Sequence, residues 1–269
     1  MKISPKEKPI GIFDSGLGGL TVLKEIIKKL PKENTIYLGD TARVPYGIRS
    51  PEIVMKYSSE NAKFLMSKDI KILVVACNTS SSISLPSLAK NLSVPVVGVV
   101  EPGARAAVAK SKTKKIAVIG TETTIKSNSY KKAIKSMDNS ARVVGIACPL
   151  FVPLVEEGWL KGDIVTLTAM KYLAPMKDYG VDTLVLGCTH YPMVKDIIAK
   201  TVKIPLIDSA VETAREVRSI LDDRNLFRHS NGKPKREFYV TDSPEKFAKM
   251  GEKFLGRKIS NISKINLGG

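Results

Sequence analysis

Hydrophobic residues occur along this chain in short, nearly unbroken runs. Eight such runs alternate with segments of helical pattern: PIGIFDS, NTIYLGD, KILVVAC, VPVVGVV, KIAVIGT, ARVVGIAC, DTLVLGC and IPLID. Unbroken apolar runs are typical of parallel strands covered by helices on both faces, whereas strands with one solvated face alternate apolar and polar residues. The pattern therefore predicts an α/β fold with parallel sheets.

Three of the intervening segments carry signals for the start or end of a helix. LGGLTVLKEIIKKL places four apolar residues on one helical face, Leu20, Leu23, Ile27 and Leu30, and Pro31 follows its end. Ser50–Pro51 and Ser243–Pro244 each combine an N-cap residue with proline at the first helical position, and Gly256 follows the last turn of the second segment. These are common helix boundaries.

Two strands end in similar polar motifs, which suggests that the chain consists of two related halves. The apolar run of ILVVACNTS stops at Cys77, and that of LVLGCTHYP stops at Cys188, 111 residues later. Open α/β sheets bind their ligands at the carboxyl ends of the strands. We expect two pseudo-symmetric α/β domains, residues 1–97 plus 209–269 and residues 98–208, with both thiols at strand ends.

Composition narrows the class of protein. Hydrophobic residues make up 43% of the 269 residues, which is enough for a substantial core. No run approaches the roughly 20 apolar residues of a membrane span, and MKISPKEKPIGIF lacks the apolar centre of a signal peptide. We therefore expect a cytoplasmic protein with no membrane association.

The few cysteines and histidines argue against disulfides and against a metal site. The chain has three cysteines, two histidines and no Cys-x-x-Cys pair. A disulfide framework needs more cysteines, and a structural zinc site needs paired ligands at short spacings. We expect free thiols and no bound metal.

The formal net charge of +17 has two possible explanations. A lysine-rich solvated surface explains it, and so does contact with nucleic acid. KSKTKK and GKPKR are basic clusters, but no nucleic-acid-binding motif accompanies them. On either reading, the charge favours the approach of small anions.

The glycine-rich stretch IFDSGLGGL does not have the spacing of a dinucleotide-binding loop. That fingerprint is Gly-x-Gly-x-x-Gly, and counting from Gly16 through Gly18 the sixth residue is Thr21. No Gly-x-x-x-x-Gly-Lys-Ser/Thr loop occurs in the chain either. The sequence therefore gives no support for nucleotide binding.

Two matched thiols suit the transfer of a proton from one face of a carbon to the other. One thiolate removes the proton while the opposite thiol delivers another, and the reverse turnover exchanges the roles. Asp14 and His190 are polar neighbours that could assist these transfers. Glu156 could do the same, or it could be a solvated carboxylate. Cys148 is followed by proline and an apolar run, so we expect it to be structural.

Five motifs together resemble the glutamate racemases of the cofactor-independent aspartate/glutamate racemase family. They are GIFDSGLGGLTV, GDTARVPYG, VVACNTSSS, GVVEPG and LGCTHYP, in this order between about Pro9 and Asp208. The resemblance implies an active site at the interface of two α/β domains and no pyridoxal phosphate, flavin or metal. It also implies that the protein interconverts L- and D-glutamate and supplies D-glutamate for peptidoglycan and the cell wall.

The resemblance also assigns roles to residues of this chain. It makes Cys77 and Cys188 the acid/base thiols, with Asp14, His190 and Glu156 as assisting groups. The residues that would bind the substrate are Asp14, Ser15, Tyr46, Gly47, Asn78, Thr79, Thr121, Thr189 and His190. Ser80 stands where the family motif leads us to expect alanine.

Several alternatives remain open at this stage. Aspartate or another acidic amino acid could be the substrate, since one methylene is worth only about 1–3 kcal/mol in a pocket. A hydrolase or lyase using one cysteine with His190 is a second possibility. A protein acting on nucleic acid or DNA gyrase is a third. A homodimer is the expected assembly, because it is the commonest among soluble oligomers.

Overall fold

The apolar runs of the sequence form the strands of two parallel sheets. We describe the protein from a computed structural model, which covers residues 4–267. The first sheet has the order β10-β9-β2-β1-β3-β4 and the second has the order β6-β5-β7-β8. Every strand pair is parallel. The predicted α/β fold with parallel sheets is therefore confirmed.

The strands of the first sheet are β1 (Ile10–Asp14), β2 (Thr35–Gly39), β3 (Ile72–Val75), β4 (Val96–Gly98), β9 (Arg236–Val240) and β10 (Ile262–Lys264). Those of the second are β5 (Lys115–Gly120), β6 (Arg142–Ala147), β7 (Thr183–Gly187) and β8 (Leu206–Asp208). Strands β1, β2, β3 and β7 are buried at every position, as their unbroken apolar sequences predict. The strands that complete the edge of the first sheet, β9 and β10, come from the C-terminal part of the chain.

Twelve α-helices are found within residues 4–267. They are α1 (Leu20–Lys29), α2 (Pro51–Ser67), α3 (Asn78–Asn91), α4 (Val100–Lys110), α5 (Glu122–Lys126), α6 (Ser129–Met137), α7 (Phe151–Glu156), α8 (Asp163–Leu173), α9 (Met176–Tyr179), α10 (Lys195–Val202), α11 (Ser209–Asp223) and α12 (Pro244–Leu255). Single 3₁₀ turns form at Pro5–Glu7, Tyr46–Ile48 and Tyr191–Val194.

The predicted helix boundaries hold with one difference. Ser50 caps α2, because its hydroxyl accepts a hydrogen bond from the backbone N–H of Ile53 at 3.5 Å. Ser243 does not cap α12 in this way, because its hydroxyl donates to Asp242 at 3.0 Å. Gly256 ends α12 with a φ of +75°, a conformation that glycine adopts without strain.

A continuous buried cluster joins the two sheets. It includes Val74 of the first sheet, Ile119 and Leu186 of the second, and Val217 of α11. Helix α11 packs against both α1 and α4. Within residues 4–267, no helix is both long and apolar enough to cross a membrane.

Candidate active site

A cavity of about 340 Å³ is lined by residues that follow strands of both sheets. Eleven of the twelve predicted site residues line it: Ser15, Tyr46, Gly47, Cys77, Asn78, Thr79, Thr121, Glu156, Cys188, Thr189 and His190. Residues from distant parts of the sequence thus meet at the carboxyl ends of the strands, where α/β proteins bind ligands.

The Cys77 thiol lies at the end of β3, at the N-cap position of α3. The side chain is 5% exposed, and its Sγ contacts the Ser15 hydroxyl at 3.7 Å. Burial, together with the nearby Asp14 carboxylate, raises the pKa of Cys77 to about 11. The positive end of α3 acts in the opposite direction, since a helix N-terminus stabilises a thiolate.

The Cys188 thiol follows β7 and is the first of three consecutive buried polar residues, Cys188, Thr189 and His190. Its Sγ lies 3.9 Å from Nδ1 of His190. On the other side of the ring, His190 Nε2 lies 3.1 Å from Oε1 of Glu156 in α7. The imidazole therefore bridges a thiol and a carboxylate.

The His190 imidazole is held in its protonated form. Burial by itself would lower its pKa, but the contacts with Cys188 and Glu156 outweigh this and raise the pKa to about 10. In turn, although burial would raise the pKa of Glu156, the hydrogen bond to His190 lowers it. Near neutral pH this pair is an imidazolium–carboxylate ion pair beside Cys188.

The Asp14 carboxylate does not line the cavity. It is fully buried, accepts a hydrogen bond from the Gly16 N–H at 2.9 Å and has Thr189 Oγ1 at 3.4 Å. Burial raises the pKa of Asp14, against the opposing influence of His190. Asp14 therefore contacts residues that follow both β1 and β7.

Hydroxyl and amide groups form one wall of the cavity. The hydroxyls of Thr79, Thr121 and Thr124 form a mutual cluster with separations of 3.0–3.3 Å. The Asn78 carboxamide accepts a hydrogen bond from Tyr130 at 2.7 Å, while its buried Nδ2 has no hydrogen-bond partner in the described part of the chain. This wall presents donors suited to a carboxylate.

The 3₁₀ turn Tyr46–Ile48 is fixed by a separate set of contacts. The Tyr46 hydroxyl donates to the Asp40 carboxylate and accepts from Asn61 Nδ2 at 3.0 Å. The Gly47 carbonyl accepts from the Thr123 hydroxyl at 2.9 Å. The turn is thereby tied both to the first sheet and to α5.

Two glycines allow the halves of the site to approach each other closely. A Cβ added at Gly18 would lie 2.2 Å from Thr189 Oγ1 and 2.5 Å from His190 Nδ1. A Cβ at Gly47 would lie 2.7 Å from the Thr121 side chain. These glycines are required by packing across the site, and no turn with positive φ is involved.

Much of the cavity lining is apolar and was not predicted from the sequence. Val44, Pro45 and Ile48 line the cavity after β2, as do Pro149, Leu150, Val152 and Pro153 after β6; Glu122 also lines it. The only sequence signal for the second group is the proline-containing apolar run CPLFVPL, which equally resembles ordinary core. These residues supply the apolar part of the lining of the cavity that holds both thiols.

Other features of the described chain do not compete with this site. An open groove of about 970 Å³ lies between α8 and α10, and none of the predicted site residues lines it. Within residues 4–267, no three His, Cys, Asp or Glu side chains are grouped to hold a metal ion. All three cysteines are free thiols, and Cys148 is fully buried.

Comparison with known proteins agrees with the resemblance noted in the sequence. Residues 10–217 match the Asp/Glu/Hydantoin racemase family. A glutamate racemase of Geobacter metallireducens is 54% identical over 262 residues, which is 97% of each chain. Two solved structures are similar over 97% of this chain and 98% of theirs: glutamate racemase of Francisella tularensis in complex with D-glutamate (TM-score 0.93, 37% identity) and glutamate racemase RacE1 of Bacillus anthracis (TM-score 0.94, 42% identity). The chain therefore belongs to the Asp/Glu/hydantoin racemase family of enzymes.

Proposed function

We propose that this protein is a glutamate racemase that interconverts L- and D-glutamate by direct proton transfer at the α-carbon. The observation that carries the proposal is that two thiols, each at the end of a strand in a different sheet, line the same cavity. A hydrolase with one nucleophilic cysteine would leave the second thiol without a role. The named relatives support glutamate as the substrate.

In the proposed reaction the substrate α-carbon lies between Cys77 and Cys188. One cysteine, as thiolate, takes the α-proton, and the electron pair of the broken C–H bond delocalises into the α-carboxylate. The other cysteine, as thiol, donates its proton to the opposite face and becomes the thiolate. Proton count is conserved, and the reverse turnover begins from the new state. By resemblance, Cys77 takes the proton from D-glutamate and Cys188 takes it from L-glutamate.

Neighbouring groups adjust the two thiols for this exchange. The His190 imidazolium lies against Cys188, where its positive charge stabilises a thiolate, and Glu156 keeps it protonated. Asp14 lies near Cys77, where its negative charge opposes the thiolate, and burial raises the pKa of Asp14 itself. The two halves of the site thus tune their thiols by different means.

Substrate recognition rests on hydrogen-bond donors with few acceptors. We assign the two carboxylates to the donors of Ser15, Asn78, Thr79, Thr121 and Thr189 and to the backbone of the Tyr46–Gly47 turn. The net charge of +17 attracts a dianionic substrate to the cavity. Aspartate is shorter by one methylene and remains the second candidate substrate, because such a difference changes binding by only about 1–3 kcal/mol.

We further propose the cellular and structural setting of this reaction. Residues 1–97 plus 209–269 form one domain and residues 98–208 form the other, with residues 1–3 and 268–269 lying outside the described part. The enzyme works as a homodimer in the cytoplasm, where its thiols stay reduced, and supplies D-glutamate for peptidoglycan. Light scattering of the purified protein tests the dimer, because a monomeric mass would overturn it.

The substrate assignment is tested by incubating purified protein with L-glutamate and, separately, with L-aspartate, without added cofactor. Chiral chromatography of the products measures conversion. D-glutamate should form, with D-aspartate at least about tenfold slower. Faster conversion of aspartate would overturn the substrate, and release of ammonia or a cleaved product without inversion would overturn the racemase itself.

A further inference from the structure

Ser80 is a fully buried residue whose hydroxyl has no hydrogen-bond partner within residues 4–267. Burying a hydroxyl without a partner is unfavourable, and such groups in proteins commonly mark a functional requirement. Ser80 occupies the third position of α3, whose N-cap residue is Cys77. At this spacing a side chain on the first turn lies next to the N-cap side chain.

The groups that surround Cys77 leave its negatively charged form poorly stabilised. Burial opposes the thiolate, and the Asp14 carboxylate at the end of β1 repels it. Tyr46 packs beside Cys77, but its hydroxyl donates to Asp40. The imidazolium of the site contacts Cys188 and not Cys77.

Two groups of Ser80 favour the thiolate form of Cys77. Its backbone N–H and its hydroxyl, like the Ser15 hydroxyl, lower the pKa of the Cys77 thiol. The hydroxyl is uncommitted while Cys77 is a neutral thiol, so it can turn to donate when charge appears on the sulfur.

We propose that Ser80 is a positioning residue that stabilises the Cys77 thiolate by donating its hydroxyl hydrogen to the sulfur once that thiol loses its proton. Ser80 stabilises the Cys77 thiolate as His190 stabilises the Cys188 thiolate, but through a neutral hydroxyl dipole instead of a positive charge. The proposal rests on the proposed two-thiol function for its role in turnover. The effect on Cys77 itself can be measured without turnover.

The test compares Ser80→Ala with the matched control Ser84→Ala. Ser84 lies one turn further along α3, is also fully buried, and its hydroxyl likewise has no hydrogen-bond partner in the described chain. Iodoacetamide alkylation of Cys77 and Cys188 is followed by peptide mass spectrometry from pH 6 to pH 11. Circular dichroism and urea unfolding establish that both variants fold.

Losing a hydrogen bond to a charged sulfur raises the pKa of Cys77. In Ser80→Ala the alkylation rate of Cys77 at pH 8 should therefore fall by about tenfold, corresponding to a profile shifted by about one pH unit. Cys188 should alkylate as before, and Ser84→Ala should change neither profile. An unchanged Cys77 profile in folded Ser80→Ala overturns the proposal, as does an equal shift in Ser84→Ala.

Racemisation supplies a second readout. Because L- and D-glutamate are equally stable, kcat/KM in Ser80→Ala should fall by the same factor, about tenfold, in both directions, with the acidic limb of its pH profile moved to higher pH. A shifted alkylation profile in a protein that does not racemise would uphold the Ser80 role and refute the racemase assignment. An unshifted alkylation profile in a protein that does racemise would refute the Ser80 role and uphold the racemase assignment.

Discussion

The ion pair between Glu156 and His190 predicts a specific pH response for Glu156→Gln. Glutamine removes the charge but can still accept a hydrogen bond from His190 Nε2, which lies 3.1 Å from the Glu156 carboxylate. At that separation two unit charges interact by about 5 kcal/mol at an effective dielectric constant of 20. The Glu156 side chain is 30% exposed, and solvent screening reduces the interaction to about 2 kcal/mol.

That loss corresponds to a pKa decrease of about 1.5 units, so the pKa of His190 should fall from about 10 to roughly 8.5. The direction of the pH effect follows from the link between the pKa of His190 and the stabilisation that the ion pair provides. A raised pKa means that the pair contributes its full stabilisation below the ordinary histidine pKa and loses it as the pH rises through the folded value. Glu156→Gln should therefore racemise nearly normally at pH 7 and lose activity from about pH 8 upward, earlier than the unmodified enzyme.

The assay follows the two histidine Hε1 signals by NMR from pH 6 to pH 11, alongside racemisation rates. His229 is exposed and provides an internal reference signal. Glu157→Gln is the matched control, because Glu157 is the exposed neighbour in the chain and has the same charge. Identical titration of His190 in Glu156→Gln and the unmodified protein would refute the reasoning, as would an equal shift in Glu157→Gln.

Three further predictions concern close packing at the site, a buried ion pair and a buried thiol. Gly18→Ala should lower kcat/KM by more than tenfold in a folded protein, because the new Cβ would lie 2.2 Å from Thr189 Oγ1; unchanged kinetics would contradict this close approach. Lys71→Met should lower the free energy of unfolding in urea by about 3–5 kcal/mol, because it leaves Glu33 without its buried ion-pair partner. A loss below about 1 kcal/mol would argue against a buried pair. Cys148→Ala should cost about 1 kcal/mol of stability and retain activity, since that thiol does not line the cavity; loss of racemisation in the folded variant would require a role for it.

The secondary structure was predictable because burial on both faces leaves a direct trace in the sequence. The unbroken apolar runs became β1 to β8, and Pro31, Ser50 and Gly256 each lie at a helix boundary. Strand β10 was not expected, because Ile262–Lys264 has only one partly buried residue among its three. A short edge strand of this kind depends on pairing with β9, which its own residues do not reveal.

The candidate site was predictable residue by residue but not in its geometry. Both thiols could be predicted as site residues because each follows an apolar strand. Glu156 of PLVEEG was named from the sequence as an assisting group, but its partner was not; the structure shows that it contacts His190 from α7. Asp14, predicted to contact the substrate, is not among the residues that line the cavity, and its carboxylate is held by Gly16 and Thr189. Such contacts depend on how the two sheets approach each other, which local sequence does not specify.

The central claim, that Cys77 and Cys188 exchange protons with one carbon from opposite faces, is tested most directly in deuterated water. L-glutamate and D-glutamate are each incubated with the protein, and α-deuterium and configuration are followed together by NMR and chiral chromatography. Each inversion should introduce one solvent deuterium at the α-carbon, and Cys77→Ala and Cys188→Ala should each abolish inversion while remaining folded. Inversion without deuterium uptake, or inversion that survives either substitution, would contradict the two-thiol account.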